Sequence, residues 1–220
     1  MFYLPNNPDN MPEALSDITV LDCSQILAGP FCSMLLSDMG AKVIKIEKPS
    51  GGDDTRRFGP PFIKNESAAF LAMNRNKRSI VIDFKHENGV EIMKNLSKNS
   101  TIIIENYRTG VMEKLGLGYE DLKKINPKII YCSISGFGRT GPYAERGGFD
   151  LVAQGMSGLM SITGIPNSPP IKVGVPIADM NAGMFATYSI LSAYIHMLKS
   201  GEGQYLEISL LESALAYTVW

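Results

Sequence analysis

Through the first 135 residues, apolar positions switch repeatedly between alternate spacing and helical spacing. Residues 19–22 form a short apolar run that predicts a buried strand. Residues 29–39 carry a helical pattern, and residues 41–47 (AKVIKIE) alternate as the next strand. Strand, helix and strand in so short a stretch predict a βαβ unit, whose strands run parallel. Residues 49–67 are a polar loop punctuated by Gly and Pro. A strand at 79–84, a helix at 86–97 and a strongly apolar strand at 101–105 (TIIIE) follow. A helical stretch over 110–125, broken about Gly116 and Gly118, leads to a strand at 128–134 (KIIYCSI). This alternation predicts an α/β fold built on a doubly wound, largely parallel sheet.

Past residue 135 the pattern changes. A Gly/Pro-rich loop leads to a helix over 150–160, and a second Pro-rich loop occupies 165–176. Residues 178–199 have the length and apolar content of a long helix closed by Gly201, and residues 204–209 (QYLEIS) alternate as a strand. A final helix is expected from Leu210 through Trp220, and with no capping signal before the last residue the chain reads as truncated inside it. The Pro/Asn-rich residues 1–16 are expected to be irregular, leaving 17–220 as one domain.

Composition narrows the function classes. With 45% hydrophobic and 20% charged residues, the 220-residue chain has the make-up of a soluble globular protein. A formal net charge of -1 gives no bulk attraction to nucleic acid or to an anionic membrane, so neither is an expected partner. No apolar run reaches the roughly 18 residues of a membrane span. Cys23, Cys32 and Cys132 are scattered without CxxC spacing, which suggests reduced thiols. The N-terminal residues lack the features of a signal or transit peptide, so the cytoplasm is the default compartment and the mitochondrion the alternative.

Most local motifs fail on their surroundings. Gly136, Gly138 and Gly141 spell G-x-G-x-x-G directly after a strand, but Pro142 follows and no helix opens there. A dinucleotide fingerprint needs that helix N-terminus for the pyrophosphate. His86 and His196, the only histidines, have no metal-ligand spacing partner, so no metal site is expected. No G-x-S-x-G elbow occurs. Asp179 opens the long helix and reads as its N-cap. At that position it is expected to stay ionised near neutral pH, as a carboxylate nucleophile requires. Arg56, Arg57 and the basic residues of 74–78 (NRNKR) read as a solvated face.

Seven segments in order carry a more specific signal. They are Val20-Leu21-Asp22 with Ala28-Gly29-Pro30, then 40–47 (GAKVIKIE), 74–80 (NRNKRSI) and 104–110 (IENYRTG). Residues 116–119 (GLGY), 134–138 (ISGFG) and the Asp179 segment complete them. Together they resemble the class III coenzyme A transferase (CaiB/BaiF) family from about residue 16 onward. The closest-looking branch is the succinyl-CoA–glutarate type. The resemblance implies a Rossmann-like large domain made from both ends of a longer chain, with the C-terminal half absent here, and an interlocked homodimer at full length.

It also implies chemistry. CoA would pass from an acyl-CoA donor to a small carboxylic acid through an aspartyl mixed anhydride and an aspartyl-CoA thioester at Asp179, with no permanently bound cofactor. CoA contacts would fall at Leu27, Ala28 and Lys48, across Ile82, Asp83, Phe84 and Lys85, and across Asn106, Tyr107 and Arg108. Lys114, Arg146, Gly147, Gly148 and Phe149 complete the set. Leu27 replaces a glutamine of the formyl-CoA branch, Lys48 and Lys114 replace arginines, and Asp150 replaces a glutamate. Acyl-CoA racemases of the same family use a histidine where this chain has Phe149, which cannot transfer a proton and so favours transfer over racemisation. An inactive CoA-binding fragment is the remaining alternative.

Overall fold

The computed structural model describes residues 13–219. Six strands form one parallel sheet: β1 (Thr19–Asp22), β2 (Lys42–Glu47), β5 (Arg78–Val81), β6 (Ile102–Glu105), β7 (Ile130–Ser135) and β8 (Tyr205–Ser209). Between β2 and β5, β3 (Phe62–Ile63) and β4 (Glu66–Ser67) make a small antiparallel hairpin. The large sheet has the order β5-β2-β1-β6-β7-β8. The chain therefore winds outward from β1 in one direction and from β6 in the other. In such sheets the crevice at the carboxyl ends of the two strands flanking the reversal is where ligands bind.

Alternation along the strands feeds two cores. Val20, Ile102, Ile104, Ile130, Cys132 and Ile134 face one side, and Leu21, Ile103 and Tyr131 the other. The first side is covered by α1 (Ala28–Asp38), α6 (Asp150–Met156), α7 (Ile177–Ser200) and α8 (Leu210–Leu215). The second is covered by α3 (Glu87–Ser97), α4 (Val111–Lys114) and α5 (Tyr119–Ile125). α2 (Ala68–Met73), a short helix that the hydrophobic pattern does not announce, is capped by Ser67 accepting from the Phe70 N–H.

Ala178, Ala182, Ala186, Ile190 and Ala193 form the buried stripe of α7. Small residues let it approach α1 closely: a Cβ on Gly183 would lie 2.7 Å from the Ala28 carbonyl oxygen. This packing sets the start of α7 beside the start of α1.

Three expectations are corrected. The last helix ends at Leu215 rather than running to Trp220, which lies outside the described residues. The helix begun at Asp150 stops at Met156, and Gly158, at φ 83°, turns the chain into a 3-10 turn at Leu159–Ser161. The basic residues after β2 and α2 are not a uniformly solvated face. Lys77 is buried against Asp22 at 3.0 Å, and Arg56 forks onto Glu47 at 2.8 and 2.6 Å. Of the irregular segment expected at 1–16, residues 1–12 lie outside the described residues. Within the rest, Leu15 is buried in the core.

Candidate active site

Two adjoining cavities lie along the carboxyl ends of the parallel strands, and the loops after those strands build both. One, of about 370 Å³, is lined by Ile46, Lys48, Ile82, Asp83, Phe84, Lys85, Val111, Lys114 and Leu115. The other, of about 500 Å³, is lined by Leu27, Ala28, Asn106, Arg108, Gly136, Arg146, Gly147, Gly148, Phe149, Asp150 and Asp179. Gln25, after β1, and Tyr107, after β6, line both and stand at the point where the strand order reverses. Every candidate contact residue named from the sequence thus lines one of two neighbouring cavities.

The first cavity is apolar inside with lysines at its rim. The Phe84 and Tyr107 rings lie 6.4 Å apart. Asp83 shapes the turn by accepting the Lys85 N–H at 2.9 Å, and α3 presses on that turn through Gly89, where a Cβ would lie 2.0 Å from the Asp83 carbonyl oxygen. Lys85 and Lys114 are exposed, while Lys48 pairs with Asp54 at 2.8 Å. An apolar slot edged by exposed ammonium groups suits a flat ring carrying phosphates.

In the second cavity the glycines matter for close approach. Gly136, after β7, and Gly148, before α6, pack backbone on backbone: a Cβ on Gly136 would stand 2.3 Å from the Gly148 Cα. Arg139 anchors this loop, donating to Glu105 at 2.6 Å and to Ser133, while Thr109 donates to the Ala144 carbonyl at 2.6 Å. Gly136 therefore serves close packing, Gly138 and Gly141 serve turns at φ 90° and 84°, and no helix opens after Gly141. Glu105 and Arg139 were not expected from the sequence. The only available sign was a carboxylate ending an otherwise apolar strand.

Asp179 sits in the first turn of α7, but it is not the N-cap. That place belongs to Pro176, which has no side-chain acceptor. Asp150 caps the helix from outside, accepting the N–H groups of Ala178 at 2.8 Å and Asp179 at 3.2 Å. Its other oxygen accepts from buried Gln154 at 2.6 Å, and Gln154 accepts the Val173 N–H at 2.8 Å. Burial, together with the Asp150 charge, pushes Asp179 up to about 7, so the expectation of a fully ionised carboxylate near neutral pH is overturned. Asp150 takes the N–H groups that would otherwise favour the Asp179 carboxylate.

Beneath the cavities lies a buried ionic network. Asp22, at the end of β1, accepts from Ser33 at 2.6 Å, from Lys77 at 3.0 Å and from Ser24. Lys45 lies between Asp22, at 4.0 Å, and Asp53, at 2.8 Å. Burial would raise the Asp22 carboxyl, but the two ammonium groups and the serines hold it well below the usual carboxylate range. Among the described residues no cluster of His, Cys, Asp and Glu could hold a metal, and no helix is long and apolar enough to cross a membrane. The three cysteines are buried.

Comparison with known proteins gives consistent matches. The sequence model of CoA-transferase family III matches residues 15–220. The chain is 48% identical over 209 residues to the succinate–glutarate CoA-transferase of Agrobacterium fabrum, covering 92% of this chain and 52% of that protein. It is 45% identical over 212 residues to the succinyl-CoA:glutarate CoA-transferase of Homo sapiens, covering 96% of this chain and 48% of that one. The chain thus spans about half the length of the curated relatives it matches. A CaiB/BaiF family protein from Brucella suis superimposes with a TM-score of 0.92 at 45% identity, covering 95% of this chain and 56% of that one.

Proposed function

The chain belongs to CoA-transferase family III, and on that footing we propose that it supplies the CoA-binding face and the reacting carboxylate of a CoA-transferase, with Asp179 as nucleophile. The observation that carries this is the place of Asp179: a half-buried carboxyl in a cavity that adjoins an apolar, lysine-rimmed one. The adenine and phosphates of CoA would occupy the rimmed cavity, and the pantetheine arm would cross Gln25 and Tyr107 to bring its thioester to Asp179.

In the first step an Asp179 oxygen attacks the thioester carbonyl carbon. The C–S bond breaks, giving a mixed anhydride and CoA thiolate. The thiolate attacks the aspartyl carbonyl and expels the donor acid, leaving an aspartyl-CoA thioester. The acceptor carboxylate attacks that thioester, releasing CoA thiolate and forming a second anhydride. Attack of the thiolate on the acceptor's acyl carbon then gives the new acyl-CoA and frees Asp179. Covalent passage divides one difficult exchange into steps between activated acyl groups. Succinyl-CoA with a glutarate-like acceptor is the pair suggested by the relatives. Phe149, 70% exposed at the cavity, offers no proton, so racemisation is not favoured.

On this reading the described fold is the N-terminal portion of the Rossmann-like domain. The remaining length present in the relatives, and a second copy of the chain, would complete the closed site. The test is turnover of succinyl-CoA with hydroxylamine present, on this chain alone and on this chain joined to the C-terminal half of a relative, followed by peptide mass spectrometry. A hydroxamate at Asp179 and loss of transfer in Asp179→Ala are expected. Full transfer by that variant would overturn the reading.

A further inference from the structure

The partition between the two cavities is held in a conformation that its own residues disfavour. Ile26, directly after Gln25, has φ 71°. A β-branched residue is sterically disfavoured in that left-handed region, so something outside the segment must hold it.

Two side chains do so from opposite sides. Asn106, immediately after β6, accepts the Gln25 N–H at 2.8 Å and donates its Nδ2 to the Gln25 carbonyl at 2.8 Å. Asp53 accepts the Ile26 N–H at 3.3 Å on each oxygen. Asp53 is itself fixed and buried. It pairs with Lys45 at 2.8 Å and accepts from the Thr55 N–H and hydroxyl at 3.0 and 2.8 Å. Lys45 also donates to the Ser24 carbonyl at 3.0 Å, so the same network holds the residue before Gln25.

We propose that Asn106 and Asp53 are positioning residues: a two-sided clamp that holds Gln25 and Ile26 in the left-handed turn and so fixes the partition over which the CoA arm reaches Asp179. The consequence for CoA rests on the CoA-transferase reading, whereas the clamp itself rests on the geometry alone. The clamp gives Asn106 a role other than ligand contact, because its oxygen and one of its amide hydrogens are already engaged by Gln25.

Two measurements on the chain test it. Amide hydrogen exchange needs no ligand. Asn106→Ala should speed exchange at Ile26, whose N–H is held by Asp53, by about tenfold while the amides of β1 and β6 keep their protection. Unchanged exchange at Ile26 would overturn the clamp. The second measurement is a calorimetric cycle for CoA affinity. Asn106→Ala should weaken CoA about tenfold in the wild-type background but under about threefold in an Ile26→Gly background, since glycine adopts the turn without help. Equal losses in both backgrounds would mean that Asn106 touches CoA directly or acts on stability alone, and would overturn the proposal. A wild-type chain that binds no CoA would instead sink the CoA-transferase reading and leave the clamp to be decided by exchange.

Discussion

Asp150 accepts the Asp179 N–H at 3.2 Å, so the carboxylate that caps α7 also places its negative charge beside the candidate nucleophile. With burial, that charge pushes Asp179 up to about 7. In the free protein, kcat/KM for the acyl-CoA should therefore rise with pH through about 7 as Asp179 ionises. Asp150→Asn keeps an oxygen acceptor for the helix but removes the charge. It should move this limb to lower pH, with a matching shift of the Asp179 carboxyl carbon in an NMR titration. An unmoved titration would mean that burial alone raises the group.

The same shift has a stability consequence of definite sign. Burial and the Asp150 charge push Asp179 up to about 7 in the folded chain, against an ordinary value of 3.8. Between those values the native state keeps a proton that the unfolded chain has released, so stability falls as pH rises through this window and levels off above it. Asp179→Asn does not titrate. Its Tm should match the wild type near pH 4 and exceed it by roughly 10 °C above pH 7. A gap that is constant with pH would contradict this.

Removing one partner of the buried network should cost far more than a surface ion pair. Asp22→Asn leaves Lys45 and Lys77 buried without the carboxylate that both face. A loss of about 3–5 kcal/mol in urea unfolding is expected. A loss below about 1 kcal/mol, the range of exposed pairs, would show that the network relaxes to water.

Gly136 and Gly148 should not tolerate a methyl group, because each Cβ would stand 2.3 or 2.1 Å from the other residue's Cα. Gly136→Ala should cost at least about 1–3 kcal/mol of stability and disturb the Asp179 cavity. Gly141→Ala, where nothing lies within 4 Å, should show only the strain of a positive φ.

Lys85→Ala and Lys114→Ala, at the exposed rim of the apolar cavity, should each weaken CoA about tenfold, and the effect should shrink at high salt. Losses that ignore salt would point to packing of the lysine stems instead.

The sequence by itself determined the doubly wound sheet and most of its elements. β1 falls where the pattern places it at 19–22, and the long helix expected at 178–199 spans Ile177–Ser200 with Gly201 at φ 79° closing it. These features are legible because burial repeats with the local period of strand or helix. The seven ordered segments also pointed to the family, and the candidate contacts they implied all line the two cavities. What the sequence could not decide depends on residues far apart in the chain. That Asp150 rather than Asp179 caps α7 depends on α6 packing beside it, across 29 residues of sequence. That Lys77 is buried on Asp22, 55 residues away, depends on the crossover that lays α2 against α1. The clamp on Gln25 joins loops 81 residues apart, which meet only because β1 and β6 are neighbours. Charge state, capping and backbone strain at the site are set by such contacts, and local spacing carries no record of them.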